Sequence, residues 1–443
     1  MDANEPIKKR IVINLDTPGP RGGAMAYGAS GKKRRWPKVI AILLMLIFVV
    51  VLAAVAGAYF WWRHYQTTPA YSMALIIDAA HLMQVRDSLR RGEPQFMPAL
   101  TALQENANRA LTMAPVSVMD KAVTPPSGDK HDYMSQAPYW WPDPSRPNGR
   151  PYIRRDGVRN PEISRITDRD NLGRLTNAVS WLALAYFYTG RQDYAQQASR
   201  LIRAWFLNPA TRMNPNLRFG QGIPGIAVGR AAGIVETRLL PDIIGSVILL
   251  EGSSAWTASD DEALKDWMRE YLEWLLDSPL GRTEARRGNN QETWYDVQVV
   301  ALALYTGQPE VAPASLEQAK TDIREEFEPD GRQPRELARS RAWDYSIFNL
   351  TAFLYLAVLG KRVGIDLWNY RTADGRNLRD GVDFLVPFAT GEKRFPYDQI
   401  GEFRPATLHR VLRLAAIGWN EPTYRELARQ IGGGTRMLEL TLP

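Results

Sequence analysis

The stretches that decide the fold are WLALAYFYTG (181–190), VVALALYTG (299–307) and FLYLAVLG (353–360). Each joins small and aromatic residues in a run that stops at glycine, which is typical of a helix closed by a left-handed residue. The pattern repeats at spacings near those of helical hairpins. The sequence therefore predicts a ring or solenoid of hairpins, an (α/α) toroid, and an irregular helical bundle is the alternative left open by periodicity.

Further segments extend the helical pattern along the chain beyond residue 70. Apolar residues recur at three- and four-residue spacing in 172–189, 193–206, 236–250, 259–276, 290–306, 316–327, 340–359, 378–388 and 407–417, and 98–113 has helix-forming composition. Convincing alternating strands are few. We therefore predict an all-α fold class.

Composition excludes several classes of protein. The 443 residues contain no cysteine, which removes disulfide scaffolds, cysteine nucleophiles and thiolate zinc sites. Only four histidines are present, and they are scattered, so we expect no metal or other cofactor. Of the net charge of +7, +6 belongs to residues 1–38, so we expect no nucleic-acid partner for the rest of the chain.

An apolar run near the start of the sequence predicts a membrane anchor. Residues 39–62, VIAILLMLIFVVVLAAVAGAYFWW, contain no charge and no proline and are long enough to cross a bilayer. The basic stretch GKKRRWPK (31–38) precedes the run, which predicts a cytoplasmic N-terminus and an exported remainder, periplasmic or extracellular. A cleaved signal peptide, with Ala54 to Ala56 as its cleavage motif, is the alternative.

These features divide the chain into four parts. We predict a disordered basic cytoplasmic tail over 1–38, a transmembrane helix over 39–62, a linker over 63–74 and the toroid domain over 75–435. The sequence predicts no oligomeric state.

A proline-rich segment interrupts the helices. Residues 125–161 hold eight prolines, which exclude helix, together with five tyrosines and tryptophans, which are unusual in disorder. We expect an ordered loop over the helical ring that carries part of a binding site. Eight arginines lie between Arg146 and Arg174, and a guanidinium fork beside flat aromatic rings suits an acidic polysaccharide.

Two further segments place amides, arginines and a tyrosine near helix starts. In RGNNQETWYDVQ (287–298), Asn289 or Asn290 is a candidate N-cap, and an amide there can also donate to a substrate carboxylate. In RELARSRAWDY (335–345), Ser340 is a candidate cap, and Arg339 precedes Tyr345. A tyrosine beside guanidinium groups can be stabilised as phenolate and carry protons.

Two paired carboxylates would indicate a glycoside hydrolase, an activity that α/α toroids also host. The candidates are Asp132, Asp143, Asp296 and Asp344. Neither a phosphate-binding loop nor a GxSxG nucleophile motif is present.

Five segments resemble the alginate-lyase-domain family of polysaccharide lyases. They are SVMDK (117–121), GDKHDYMSQAPYWWPDPSRPNGRPYIRRDG (128–157), NNQETWYDVQ (289–298), RELARSRAWDYSIFNL (335–350) and GIDLWNY (364–370). The resemblance implies an (α/α) toroid that cleaves uronic-acid polymers, alginate-like or glucuronan-like, by β-elimination.

The resemblance also implies roles for individual residues. Asn290 matches the asparagine that neutralises the substrate carboxylate, Tyr345 matches the catalytic tyrosine, and Arg339 would assist it. The family commonly has histidine where this chain has Gln291, which cannot carry a proton near neutral pH. His131 is the nearby histidine that could replace it, and a catalytically impaired polyuronate-binding protein is the alternative function.

The remaining candidates are expected to bind substrate rather than to react with it. They are Gln291, Lys130, Tyr133, Tyr139, Trp140, Trp141, Arg154, Arg155, Trp294 and Arg335. Trp294 is included although its helical position also favours the core.

Overall fold

The computed structural model describes residue 76, residues 78–433 and residues 436–442. The predicted tail over 1–38, the transmembrane helix over 39–62 and the linker over 63–74 lie outside the described residues. They stay predictions.

The described chain is mainly helical, as the periodicity predicted. Its α-helices are α1 (Ala79–Arg90), α2 (Met97–Leu111), α3 (Asp168–Thr189), α4 (Gln192–Ile202), α5 (Leu240–Leu249), α6 (Ala258–Asp277), α7 (Pro279–Glu284), α8 (Asn290–Tyr305), α9 (Ala312–Glu326), α10 (Pro334–Leu337), α11 (Ala342–Arg362), α12 (Leu378–Ala389), α13 (His409–Gly418), α14 (Pro422–Ile431) and α15 (Arg436–Thr441). Helices α1, α7, α10, α14 and α15 were not predicted.

Neighbouring helices in the sequence pack together as hairpins. Helix α3 packs on α2 and α4, α8 packs on α9, and α13 packs on α14. Successive hairpins are joined by longer-range packing of α3 on α5 and of α8 on α11. This arrangement is the one expected for a toroid of hairpins.

Helices α8 and α11 form the centre of the core. Of the sixteen residues of α8, all but Gln291 are buried, which requires a helix that is apolar nearly all round. Helix α11 is the one described helix that is long and apolar enough to cross a membrane, but most of its apolar window is buried inside the domain. Both helices begin beside the same cleft, so a rigid core holds their first residues in place.

The helix-closing glycines are partly as predicted. Gly190 and Gly307 adopt the left-handed conformation, with φ of +72° and +76°. Gly360 does not end its helix, because α11 continues to Arg362. Its lack of a side chain serves packing instead, since a Cβ there would lie 2.6 Å from the Ile365 carbonyl oxygen.

The proline-rich segment is ordered, as its aromatic content predicted, and it also contains short strands that were not predicted. Strand β1 (Met134–Gln136) pairs in parallel with β4 (Phe219–Gly222), and β2 (Trp140–Trp141) pairs antiparallel with β3 (Ile153–Arg154). Trp140 lies opposite Arg154 in the second pair. A tryptophan and an arginine are thereby paired across two adjacent strands.

A buried ion pair ties the start of this segment to α3. The Lys121 ammonium lies 3.0 Å from the Asp168 carboxylate, and both side chains are fully buried. Lys121 also donates to the carbonyl oxygens of Val118 and Lys130 at 2.6 and 2.7 Å. Burial raises the pKa of Asp168 to about 6 and lowers the pKa of Lys121, so removal of either partner would leave an uncompensated buried charge.

Candidate active site

A cleft of about 430 Å³ lies where α8 and α11 begin and the proline-rich segment crosses them. Its lining residues are Pro138, Tyr139, Trp140, Arg154, Arg169, Gln221, Arg230, Val235, Arg238, Arg287, Asn289, Asn290, Gln291, Arg339, Arg341, Asp344, Tyr345 and Phe348. Seven of these are arginines and one is an acid. The cleft is therefore built to hold an anion.

The start of α8 supplies the amide groups. Asn289 is the N-cap, because its side chain accepts from the Gln291 amide at 3.0 Å, so Asn290 is free for another role. Asn290 is held by a single carboxylate, that of Glu336. Its backbone N–H donates to Glu336 Oε1 at 3.0 Å, and its Nδ2 donates to Glu336 Oε2 at 2.7 Å. One amide hydrogen of Asn290 remains for a ligand in the cleft.

Gln291 is the residue of α8 that is not buried, and it lines the cleft beside Asn290. The helix N-terminus adds the partial positive charge of its free N–H groups at this place. A carboxylate bound here would therefore meet amide donors and a favourable helix dipole together.

The start of α11 supplies the phenol. The Tyr345 hydroxyl donates to the Tyr139 hydroxyl at 3.0 Å, and the Arg339 guanidinium lies 3.8 Å from the centre of the Tyr345 ring. Tyr139 comes from the proline-rich segment, so residues more than 200 positions apart meet in this pair. The three side chains share one wall of the cleft.

Burial raises the pKa of Tyr345 above its ordinary value, and the neighbouring Tyr139 adds to the rise. The Arg339 charge acts in the opposite direction but does not outweigh burial. The expected stabilisation of the phenolate by arginine is therefore smaller than the effect of burial in the free protein. Tyr345 is accordingly a neutral phenol at neutral pH.

Arg339 is oriented by Asp156, which lies in the proline-rich segment. Its Nε and Nη2 donate to the two oxygens of Asp156 at 3.1 and 2.8 Å. The same carboxylate accepts from Arg154 Nη2 at 2.7 Å and from the Ser340 hydroxyl at 3.0 Å. These donors hold the pKa of Asp156 well below its usual range although burial opposes them. Ser340 thus binds Asp156 and is not the predicted cap of α11, whose N-cap is Arg341.

Five lining arginines were not among the predicted site residues: Arg169, Arg230, Arg238, Arg287 and Arg341. Arg238 lies in the predicted helical segment 236–250, whereas Arg230 comes from a segment that the sequence analysis did not single out. A signal was present there, because glycines recur at Gly220, Gly222, Gly225, Gly229 and Gly233. Several of them permit close backbone contacts: a Cβ on Gly229 would lie 2.0 Å from the Arg218 carbonyl oxygen.

The structure brings seven predicted site residues to the cleft: Asn290, Gln291, Arg339, Tyr345, Tyr139, Trp140 and Arg154. The other seven do not line it: His131, Lys130, Tyr133, Trp141, Arg155, Trp294 and Arg335.

Three of the seven outside the cleft are engaged in local or core contacts. His131 donates through Nδ1 to the Arg212 carbonyl oxygen at 2.6 Å, so it is not placed to replace the missing histidine. Tyr133 is fully buried and donates to Glu236 at 2.8 Å. Trp294 is buried and donates to the Phe348 carbonyl oxygen at 3.2 Å, which makes it a core residue.

The remaining four predicted site residues outside the cleft contact the segments around it. The Lys130 ammonium donates to the Met119 carbonyl oxygen at 3.1 Å, and Arg335 donates to the carbonyl oxygen of Gly288. Trp141 donates to the Val158 carbonyl oxygen at 2.8 Å, and the Arg155 guanidinium lies 5.2 Å from the centre of its ring. These contacts position the loop rather than face a ligand in the cleft.

The carboxylates do not form the pair that a glycoside hydrolase needs. Asp344 lines the cleft, where it pairs with Arg341 at 2.7 Å, but Asp132, Asp143 and Asp296 do not line it. Asp132 accepts from Ser127 and Asn214, and Asp296 is buried in the core. The four candidate carboxylates therefore do not meet as a pair in the cleft.

One group of described carboxylates is close enough to hold a metal ion. Ligand atoms of Glu292, Asp296 and Asp322 lie within 4.8 Å of one another, and all three residues are buried. Burial raises the pKa of Asp322 to about 7 and that of Asp296 well above its ordinary value. Raised pKa values of this kind allow neighbouring buried carboxyls to share a proton.

A larger cavity, of about 570 Å³, lies at the opposite end of α8 beside Tyr305 and Gly307. It is lined largely by apolar and oppositely charged groups, such as Trp256, Lys265 and Asp261. It lacks the concentration of arginine that marks the cleft, so the cleft is the better candidate for the active site.

Comparisons with known proteins show the family of the chain. The family model described as alginate lyase matches residues 117–395. The crystal structure of an alginate lyase from Bacteroides ovatus is 39% identical to the chain, with a TM-score of 0.79 over 83% of this chain and 98% of that one. Alginate lyase A1-III, in a histidine-to-alanine variant complexed with a tetrasaccharide, shares the fold at 15% identity, with a TM-score of 0.52 over 84% of this chain and 96% of that one. No curated protein sequence matches the chain.

The fold and the cationic cleft define a polysaccharide lyase. The chain belongs to the alginate lyase family, because the family model covers more than half of it and the Bacteroides protein is similar over nearly its whole length. Membership of this family implies an acidic polysaccharide as substrate.

Proposed function

We propose that the protein cleaves a uronic-acid polymer, alginate-like or glucuronan-like, by β-elimination at the cleft. The observation that carries the proposal is the meeting of Tyr345, Arg339 and the amides of Asn290 and Gln291 on one cationic cleft. The name of the Bacteroides relative, an alginate lyase, supports this choice of substrate class.

Neutralisation of the substrate carboxylate is the first requirement of this reaction. A C5 proton next to a charged carboxylate is too weakly acidic to be removed, because the carbanion would add a second negative charge. Donors at the start of α8 lower that cost by holding the carboxylate in a preorganised polar site. In our proposal Asn290 and Gln291 donate from this position, and Arg339 adds positive charge beside the phenol.

Proton transfer is the second requirement, and we assign it to Tyr345. In its deprotonated form the Tyr345 oxygen takes the C5 proton, and the electrons of the C5–H bond form a C4–C5 double bond. The C4–O4 bond breaks, and the phenol returns its proton to the departing O4. The products are an unsaturated uronate and a shortened chain, with no external reactant consumed.

Gln291 decides between the proposed lyase and a polyuronate-binding protein of impaired activity. Glutamine can donate to a carboxylate but cannot take a proton, so catalysis depends on Tyr345 alone or on its hydrogen-bonded partner Tyr139. Replacement by histidine, Gln291→His, would add a group that titrates near neutral pH.

Turnover of a uronan panel tests the proposed activity. Full-length protein in detergent is incubated with polymannuronate, polyguluronate and polyglucuronate, and the ultraviolet absorbance of the unsaturated uronate is followed. We expect a rise on at least one polymer. Binding without a rise, and a rise only for Gln291→His, would establish the impaired binding protein instead.

We further propose that the lyase domain is tethered to a membrane and exported. The apolar run 39–62 and the basic stretch 31–38 before it support this topology. Protease added to intact spheroplasts should degrade the lyase domain, and the mass of the purified protein should include residues 1–62. A mature protein that begins after Ala56 would indicate a cleaved signal peptide.

A further inference from the structure

Two helices that pack together in the core carry four buried carboxyl groups. Glu292 and Asp296 lie one turn apart on α8, and Asp322 and Glu326 lie one turn apart on α9. All four residues are at most 3% exposed, and α8 packs on α9. Because residues four apart share one face of a helix, each pair forms a short acidic stripe on a buried face.

Three of these carboxyl groups come close enough to share a ligand. Ligand atoms of Glu292, Asp296 and Asp322 lie within 4.8 Å of one another. Two oxygens bound to one calcium ion at about 2.3–2.6 Å can lie up to about 5 Å apart, so this spacing fits a calcium ion. Glu326 lies beside the group, because burial raises its pKa and the charges of Asp322 and Glu292 add to the rise.

Three oxygens of these carboxyl groups have no hydrogen-bond partner in the described part of the chain. They are Asp296 Oδ2, Asp322 Oδ2 and Glu326 Oε1, and all three are buried. The other oxygens of Asp322 and Glu326 accept from Gln318 and Asn349, each at 2.8 Å. These amide donors hold the two carboxyl groups in place and leave one buried oxygen of each without a donor, which native proteins rarely tolerate.

Positive charge from the chain does not compensate the group. Among the described residues, no lysine or arginine forms an ion pair within 4 Å with any of the four carboxyl groups. Arg324 lies 3.7 Å from the exposed Glu325 instead, and Arg335 donates to a backbone carbonyl oxygen. Burial raises the pKa of Glu292 and of Asp322 more than the distant Arg335 charge lowers it. Buried carboxylates are normally paired or bound to a metal, so this group lacks a cation.

The donor set is that of a hard cation. Every candidate ligand is a carboxylate oxygen, which suits calcium or magnesium, and the group contains no histidine or cysteine, the ligands of zinc and copper. The expectation of no metal rests on histidine and cysteine, so it does not bear on a cation held by carboxylates. Calcium accepts irregular coordination completed by water, whereas magnesium demands a near-ideal octahedron at about 2.0–2.1 Å.

We propose that Glu292, Asp296 and Asp322 form a buried calcium site between α8 and α9, with Glu326 as a fourth carboxylate beside it. The ion would join α9 to the first two turns of α8, the helix whose first residue, Asn290, faces the cleft. None of the four carboxylates lines the cleft, so the site is separate from the reaction and its role is structural. A bound cation would favour the ionised form of each carboxyl and so lower the raised pKa values.

Calcium binding to the whole protein tests the inference without turnover. Full-length protein in detergent is stripped with EDTA, and binding of radioactive calcium is measured by equilibrium dialysis. Urea unfolding is followed in parallel with EDTA, with calcium and with magnesium. Asp322→Asn and Glu326→Gln each remove one carboxylate charge from the group. Glu317→Gln is the matched control, because Glu317 is an exposed acid on the same helix.

We expect one calcium ion per chain, an unfolding midpoint that rises with calcium concentration, and a smaller rise with magnesium. Asp322→Asn should weaken calcium binding at least about tenfold, because it removes a charged ligand, and Glu317→Gln should leave it unchanged. Glu326→Gln should give a smaller loss, and it serves as the test variant if Asp322→Asn does not fold.

Three results would overturn the inference. The first is no calcium binding together with an unfolding midpoint that EDTA does not change, which would mean that the carboxyls share protons instead. The second is calcium binding that Asp322→Asn and Glu326→Gln both retain in full, which would place the ion elsewhere on the protein. The third is tighter binding of magnesium than of calcium.

Discussion

Glu336 binds Asn290 through both of its carboxylate oxygens, one to the backbone N–H at 3.0 Å and one to the side-chain amide at 2.7 Å. Glu336 is buried and does not line the cleft, whereas Asn290 does. Glu336 therefore positions the Asn290 amide from the side away from the cleft, and the contact links α10 to the first residue of α8.

Glu336→Gln should impair catalysis more than stability. Glutamine keeps one oxygen acceptor but turns an NH2 group toward one of the two Asn290 donors, which frees or tilts the Asn290 amide. We expect kcat/KM to fall by about 10²-fold or somewhat less, as for a displaced catalytic group. Steady-state kinetics and urea unfolding measure the two effects, with exposed Glu325→Gln on α9 as control. An unchanged kcat/KM would show that Glu336 does not position Asn290.

Tyr345→Phe should abolish the absorbance change on every uronan. The variant keeps the ring under the Arg339 guanidinium but loses the oxygen that carries the proton. Tyr139→Phe removes the hydrogen-bond acceptor of Tyr345 and should reduce the rate without abolishing it. Retained activity in Tyr345→Phe would reassign the proton carrier, and loss of all activity in Tyr139→Phe alone would move that role to Tyr139.

The rate should rise with pH across the neutral and mildly alkaline range. Burial raises the pKa of Tyr345 above the ordinary value of about 10 for a phenol, so its deprotonated fraction grows about tenfold per pH unit below that value. We expect kcat/KM to follow this slope from about pH 7 upward while the fold is intact. A rate that is level or falls over this range would exclude the Tyr345 phenolate as the base.

Asp156→Asn should destabilise the loop over the cleft. The replacement puts an amide NH2 where Asp156 Oδ2 accepts from Arg339 and Ser340. Because Asp156 is partly exposed, we expect a loss of about 1 kcal/mol in the free energy of unfolding at neutral pH.

The same pair of proteins gives a pH test with a definite sign. The pKa of Asp156 is lower in the folded protein than in the unfolded chain, so its ionised form stabilises the fold above about pH 4. That contribution is lost as the pH falls below this value. The difference between wild type and Asp156→Asn in urea unfolding should therefore be full at pH 7 and should shrink progressively below about pH 4, and a constant difference would contradict the assignment.

Lys121→Met should lower the free energy of unfolding by about 3–5 kcal/mol, because it leaves the Asp168 carboxylate buried without its partner. The double variant Lys121→Met, Asp168→Leu removes both charges and should recover much of the loss. Urea unfolding measures both, and exposed Lys361→Met serves as control. A loss of less than about 1 kcal/mol in the single variant would mean that Asp168 takes up a proton at no great cost, consistent with its raised pKa.

The helices were predictable because the spacing of apolar residues that marks a helix is a property of a short stretch of sequence. The apolar spacing in 290–306 and 340–359 matches α8 and α11 to within a few residues, since a helix that fills the core must be apolar on most sides. The amphipathic helices α1 and α14 were missed, because their apolar faces are narrow and much of their surface is charged or polar.

The candidate site was predictable in part. Asn290, Gln291, Arg339 and Tyr345 lie at helix starts within motifs, and they do line the cleft. Tyr133 and Trp294 also lie within the quoted motifs, but both are buried. A sequence motif does not show on which side of the backbone an aromatic ring lies, so their burial could not be predicted.

The sequence by itself determined that this chain folds as helical hairpins and that amide, guanidinium and phenol groups are available at their ends. Only the tertiary structure decided which of these groups meet. The Tyr139–Tyr345 pair and the bond of Asp156 to Arg339 each join segments far apart in the chain. Periodicity records which face of an element is buried, whereas charge compensation depends on neighbours that packing alone brings together.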